Sequence, residues 1–442
     1  MSSTEPLNGQ GASECGMVPR ASMLLPIKGD REPTAPLAGK TVAVVHAAWH
    51  SCGSYQVNVS QLIAYKALGA RVVSIALMDN IGPTAPQGDR WRDYLAASCD
   101  LPADRRFFTG APFSRLYTSA LLKDGWWPLI HGDQATWLIE LAKRTPLPGG
   151  LESETIDLFH ANHFFTLPFV EQMRAGRRIP IILESQDIQA RQYVLRNRDG
   201  LFIPPYATYD DMLAIELEWM NLADLCIHLN RDEHLAFQRL LPHGRHALIY
   251  PAVSPAALGA GGRDIVIVAS DNYANYLGLR WLFENVLPLA PGVTIDIFGT
   301  IVNGVKTRDK ALFEAHRQCF KGRAADLGAV YANAACVLLP TLEGHGISIK
   351  AVEAFSSGAP LIATPLAFRG MDVDPRKLGN VVVAEDAESF AIALRDVAKR
   401  LDTIAFEMPR STSDTRRFYD EVFSFDAYGR ALAKFAVPMV CT

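Results

Sequence analysis

Lys350 and Glu353 stand three residues apart behind a loop that holds Gly344, His345 and Gly346. Around them the chain reads as strand, glycine loop, helix, turn and strand. Cys336–Leu339 is an apolar run suited to a strand buried on both faces. Pro340 closes it, because a proline cannot continue the ladder. The two glycines admit backbone conformations closed to other residues and let a ligand approach the chain. A helix is predicted from Ile347 to Ser357, with Gly358 at its C-terminal stop and Pro360 beyond. The first amides of such a helix have no intrahelical partner, and its dipole adds partial positive charge, so the loop is an anion site. On that helix Gly346, Lys350 and Glu353 would share one stripe, offering amides, then a cation, then a carboxylate. A nucleoside diphosphate needs that order, with charge for the phosphates and a carboxylate for the ribose hydroxyls. A plain surface ion pair between Lys350 and Glu353 is the alternative for the same spacing.

The segment resembles the donor-site signature of the retaining GT-B glycosyltransferases of family four, the large group 1 family. Glu343-Gly344-His345-Gly346, then Glu353-Ala354, then Gly358-Ala359-Pro360 fill the slots of its usual pattern. Glu343 and Glu353 enclose nine residues here, two more than that pattern has, and counting back from Glu353 puts His345 where the first glutamate would stand. A subgroup with Gly-x-Gly-x-x-x-Lys-x-x-Glu-Ala is matched from Gly344 to Ala354.

The resemblance implies an α/β protein of GT-B fold: two Rossmann-like parallel-sheet domains facing each other across a cleft, with a C-terminal helix crossing back. It implies transfer of a sugar from a nucleotide-sugar donor to a glycan or lipid-linked acceptor, with retention of configuration. Neither a metal nor a cofactor is implied. Polysaccharide or glycoconjugate biosynthesis, a cytoplasmic location and peripheral association with the inner membrane face belong to the same expectation. Lys350, Glu353 and His163 are expected at the chemistry, with Gly344, His345, Gly346, Ile347 and Ser348 lining the donor. A non-catalytic sugar-nucleotide-binding protein and a GT-B epimerase are the competing readings. A phosphorylase lacks its pyridoxal-binding lysine context here.

The elements that must position these residues fit two domains, since 442 residues exceed one core. A net charge of −4 offers nothing to nucleic acid. Seven scattered cysteines without a C-x-x-C pair suit reduced thiols better than a disulfide framework or a zinc site. No apolar run reaches membrane-spanning length, and the first residues lack a signal-peptide core. Residues 1–38 read as a disordered tail. An acceptor domain is expected over 39–250, a donor domain over 251–413, and a helix packing back over 414–442.

The first domain opens with a βαβ unit: strand Thr41–Val45, helix to Leu68, strand Arg71–Leu77. It lacks G-x-G-x-x-G, so a dinucleotide site is not supported. By resemblance Gly53 and Ser54, in its first loop, lie under the transferred sugar. Ile156–Phe165 is a strand running into a loop at the edge where open α/β sheets bind ligands, with His160 and His163 there. His163 is the better candidate for the sugar or acceptor. Asp187, after strand Ile181–Glu184, reads first as a helix cap and second as a base. The second domain restarts with strands Asp264–Ala269 and Val293–Phe298. By resemblance the loops behind them touch the donor, through Ser270, Asn272, Asn275 and Gly299. Many family members carry an Arg and a Lys in the first of these loops. Asp414–Phe435 is helical in pattern, with Ser424 capping the second of two pieces.

Overall fold

A computed structural model describes residues 35–50, 53–78, 94, 96, 98, 101–197, 202–344, 346–401, 403 and 409–441. The first sheet is built from β1 (Thr41–Ala47), β2 (Arg71–Leu77), β3 (Arg105–Thr109), β4 (Leu158–Asn162), β5 (Ile181–Glu184), β6 (Leu225–His228) and β7 (His246–Leu248). Its strands lie in the order β3-β2-β1-β4-β5-β6-β7 and every pairing is parallel. The second sheet uses β8 (Asp264–Val268), β9 (Asp296–Phe298), β10 (Phe320–Gly322), β11 (Ala334–Leu339), β12 (Leu361–Ala363) and β13 (Val381–Val383). Its order, β10-β9-β8-β11-β12-β13, repeats the same winding. Strand order therefore reverses between β1 and β4 and again between β8 and β11, the places where open α/β sheets receive ligands.

Continuous apolar runs make the central strands. All seven residues of β1 and all six of β11 are buried, as expected for strands covered by helices on both faces. The packed chain reaches back into the segment expected to be tail. Leu37 is fully buried, and its amide donates to the Leu68 carbonyl at 3.0 Å.

The C-terminal segment crosses back. Helix Asp414–Val422 belongs to the second domain, where Tyr419 donates to the Val253 carbonyl. Ser424 then caps Ala427 at 3.1 Å and opens helix Phe425–Val440. Tyr428, Leu432 and Ala436 of that helix pack with Leu62 and Tyr65 of the opening helix Gly53–Ala67. A buried polar cluster fastens the contact: Tyr428 Oη donates to Glu184 Oε2 at 3.1 Å and Gln61 Nε2 to the same oxygen at 2.7 Å. Among the described residues no helix is long and apolar enough to cross a membrane.

The C-terminal edges of the two sheets face each other. The Arg231 amide, after β6, donates to the Gly370 carbonyl, after β12, at 2.8 Å. A Cβ on Gly346, after β11, would stand 3.1 Å from Asp187 Oδ1, after β5.

Candidate functional site

The glycine loop leaves β11 at Pro340, whose carbonyl presses on Gly278 of helix Tyr273–Trp281. Thr364, at the end of β12, holds the loop by accepting the Thr341 amide at 3.0 Å. Gly344 (φ 137°) and Gly346 (φ 62°) both occupy backbone regions that favour glycine. The helix begins later than its apolar pattern predicted, at Ile349. Ser348 is its N-cap, accepting from the Ala351 amide at 3.3 Å, since a serine side chain competes best for helix amides from just outside the helix. Ile347 and Gly346 thus precede the helix, and Gly346 does not extend the stripe of Lys350 and Glu353. His345 lies outside the described residues.

Lys350 and Glu353 do form the i, i+3 ion pair that their spacing allows, at 2.8 and 3.1 Å. Glu353 has a second tie, a 3.3 Å hydrogen bond donated by the hydroxyl of the fully buried Tyr331. Its side chain lines a cavity of about 150 Å³ together with Tyr55 and Gln56 of the first domain, Ser254 of the connection and Phe425 of the C-terminal helix. Glu353 therefore faces the gap between the domains, and a buried phenol fixes it there. Gly53 and Ser54 immediately precede those cavity-lining residues at the start of helix Gly53–Ala67.

A cation that the sequence reading left without a role stands at the glycine loop. A Cβ on Gly344 would meet the Arg369 guanidinium at 2.8 Å, and Arg369 is half-buried. Burial draws its pKa below the usual arginine value, and arginine stays charged under such shifts. The signal was Arg369-Gly370 after β12; only the fold brings it back to the loop after β11.

The residues expected from the neighbouring loops do other work. Asn272 caps its helix by accepting the Asn275 amide at 2.8 Å, and Asn275 Nδ2 donates to the Ser270 carbonyl at 2.8 Å. Gly299 (φ 113°) permits close backbone packing, since a Cβ there would stand 2.0 Å from the Ala269 carbonyl oxygen.

On the first domain's edge the two histidines separate. His160 is consumed by the buried cluster, with Tyr65 Oη at 2.9 Å from Nδ1 and Glu184 Oε2 at 3.4 Å from Nε2. His163 is buried, yet neither ring nitrogen has a hydrogen-bond partner. Its ring stacks on Phe165 with centroids 5.1 Å apart and meets Trp49 edge-on. Burial, aided by the charge of Arg196, lowers its pKa to about 3, so the imidazole is neutral. Its backbone is strained at φ 65°, ψ 139°, a state that costs about 1–3 kcal/mol and gathers at functional sites. Gln186, at the end of β5, shares the positive φ.

Asp187 does not cap helix Gln189–Asn197 as its sequence position suggested. Glu216 accepts the Gln189 and Ala190 amides at 3.1 and 3.0 Å, and Glu233 accepts that of Ile188. These two carboxylates arrive from distant helices, so local sequence gave no sign of them. Burial, and secondarily the Asp187 charge, raises Glu233 to about 8. Burial raises Glu216 to about 7.

Those shifts oppose the histidines. A raised Glu233 keeps its proton in the fold, which favours folding below its ordinary pKa and loses that benefit as pH climbs through 8. His46, lowered to about 4, and His228, lowered to about 3, act with His163 in the other sense. Their contribution is present above pH 6.5 and lost on acidification. The melting temperature is expected to peak between pH 6 and 7. Glu233→Gln should flatten the alkaline limb and leave the acid limb, as scanning calorimetry from pH 4 to 9 would show.

Residues 262–400 match the family model of the "Glycosyl transferases group 1". No curated protein matches the sequence. The structure is similar to sucrose-phosphate synthase from Thermosynechococcus elongatus, with TM-score 0.57 and 14% identity over 91% of this chain and 99% of that one. It is similar to HepE of Anabaena in complex with UDP and glucose, with TM-score 0.57 and 13% identity over 90% and 100%. A third likeness is to α,α-trehalose 6-phosphate synthase from Burkholderia multivorans, with TM-score 0.54 and 14% identity over 91% and 97%. The fold is GT-B, and the second domain is of the group 1 glycosyl transferase type.

Proposed function

We propose that this GT-B chain, with its group 1 second domain, is a glycosyltransferase that moves a sugar from a nucleotide-sugar donor to an acceptor on the first domain, with retention of configuration. One observation carries the reading. A glycine loop, a helix N-terminus, Arg369, Lys350 and Glu353 converge on the gap between the sheet edges. Arg369, Lys350 and the amides of residues 349 and 350 would balance the diphosphate charge as the glycosidic bond to it breaks. Glu353, held by Tyr331, would accept from the ribose hydroxyls. His163 would meet the transferred sugar with a neutral imidazole. Arg369 supplies a cation where the loop after β8 has only Ser270, Asn272 and Asn275, and this weighs against a scaffold that binds without turnover. No metal is assigned a part. A cytoplasmic site of action and a glycan or lipid-linked acceptor complete the proposal.

UDP and UDP-glucose, the ligands named with HepE, are the first probes. Thermal-shift screening of UDP-, ADP- and GDP-sugars should give one clear stabiliser, since a ligand at 100 times its dissociation constant adds about 2.7 kcal/mol. Incubating that donor with sugar acceptors should release nucleoside diphosphate and form a product with the donor's anomeric configuration by NMR. Sugar-nucleotide breakdown without an acceptor, or an inverted product, counts against the reading.

A further inference from the structure

We propose that Asp187 is a catalytic residue of the first domain, the carboxylate that receives the acceptor's attacking hydroxyl; this rests on the donor reading above. The helix that follows Asp187 leaves its carboxylate no capping work, because Glu216 and Glu233 take the amides of residues 188–190. Asp187 stands instead against the glycine loop of the other domain, 3.1 Å from where a Cβ on Gly346 would be. A carboxylate beside a diphosphate cradle repels the donor's phosphates, so its chemical use there is with a neutral hydroxyl. Glu233 and Glu216 lie behind it and push against its charge, which favours Asp187 taking up a hydrogen-bond donor. His163, a strained and buried residue whose two ring nitrogens have no partner, stands at the same sheet edge one strand away. The two side chains offer acceptors for a polyhydroxyl ligand.

In the step assigned to Asp187, the acceptor oxygen bonds to the anomeric carbon while the bond from that carbon to the diphosphate oxygen breaks, its electron pair leaving with the diphosphate. The hydroxyl proton passes to Asp187 and from there to the released diphosphate oxygen, so the carboxylate is regenerated. Because Asp187 lies beside the leaving group's cradle, it serves attack from the leaving group's own side.

The test uses the full chain with UDP and UDP-glucose as probes. Isothermal titration measures UDP binding, and UDP release from UDP-glucose is followed with water and with free hexoses as acceptors. Asp187→Asn should bind UDP within about threefold of the parent, or more tightly as repulsion is removed. Its UDP release should fall by about 100-fold or more, the scale of a lost general base. Asp187→Glu should recover part of the rate. Release by Asp187→Asn within about threefold of the parent would overturn the assignment. So would UDP affinity falling more than about tenfold, which would place the residue on the donor side. A parent that binds UDP but releases none from UDP-glucose would overturn it too. A parent that binds no nucleoside diphosphate would sink the donor reading itself.

Discussion

Arg369→Ala is expected to weaken nucleoside diphosphate binding by roughly 10- to 100-fold, because a hydrogen bond to a charged group contributes about 1.5–3 kcal/mol and each 1.4 kcal/mol is tenfold. The guanidinium stands over Gly344, on the loop whose amides would face the phosphates, and it is half-buried, where charge is screened less. Its internal tie is modest, a 3.2 Å hydrogen bond to the Leu366 carbonyl, so the fold should survive its removal. Arg369→Lys should retain part of the affinity, with a point charge in place of a planar fork. Titration calorimetry with UDP at two salt concentrations checks this. Equal affinity in Arg369→Ala and the parent would remove Arg369 from the site.

Gly278→Ala is expected to be the most damaging single methyl in the second domain. The added Cβ would lie 2.0 Å from the Pro340 carbonyl oxygen, a backbone atom that cannot rotate away. Helix and loop must separate by an ångström or more, and overpacking of this kind costs about 1–3 kcal/mol or more. Pro340 is the last residue before the glycine loop, so the displacement also reaches the donor cradle. Both the melting temperature and UDP affinity should fall together. A surface change such as Val382→Thr, on the edge strand β13, should move neither.

The contrast between these residues shows what the amino-acid order could and could not reveal. Strands β1, β2, β5, β11 and β12 were legible because burial on both faces demands an unbroken apolar run. The edge strands β3, β10 and β13 were not, since half-exposed stretches such as Arg105–Thr109 and Phe320–Gly322 carry no such run. Lys350 and Glu353 were legible through their spacing and the glycines before them. Arg369 and Asp187 were not, because each meets the glycine loop only after a crossover brings separate strand ends together. The same limit misassigned Asp187 as a cap: carboxylates more than 25 residues away took its amides. Ser270, Asn272 and Asn275 show the reverse error, in which residues read as ligand contacts serve their own helix.

The central claim is that one pocket, with cations and amides at its phosphate end and Glu353 at its nucleoside end, holds the donor. UDP, ADP and GDP titrated into the parent and into a Lys350→Ala, Glu353→Ala double variant test it most directly. Saturable binding of one nucleotide by the parent, weakened about 100-fold or more in the variant, is the predicted result. Binding as tight in the variant as in the parent, or none in either, would contradict it.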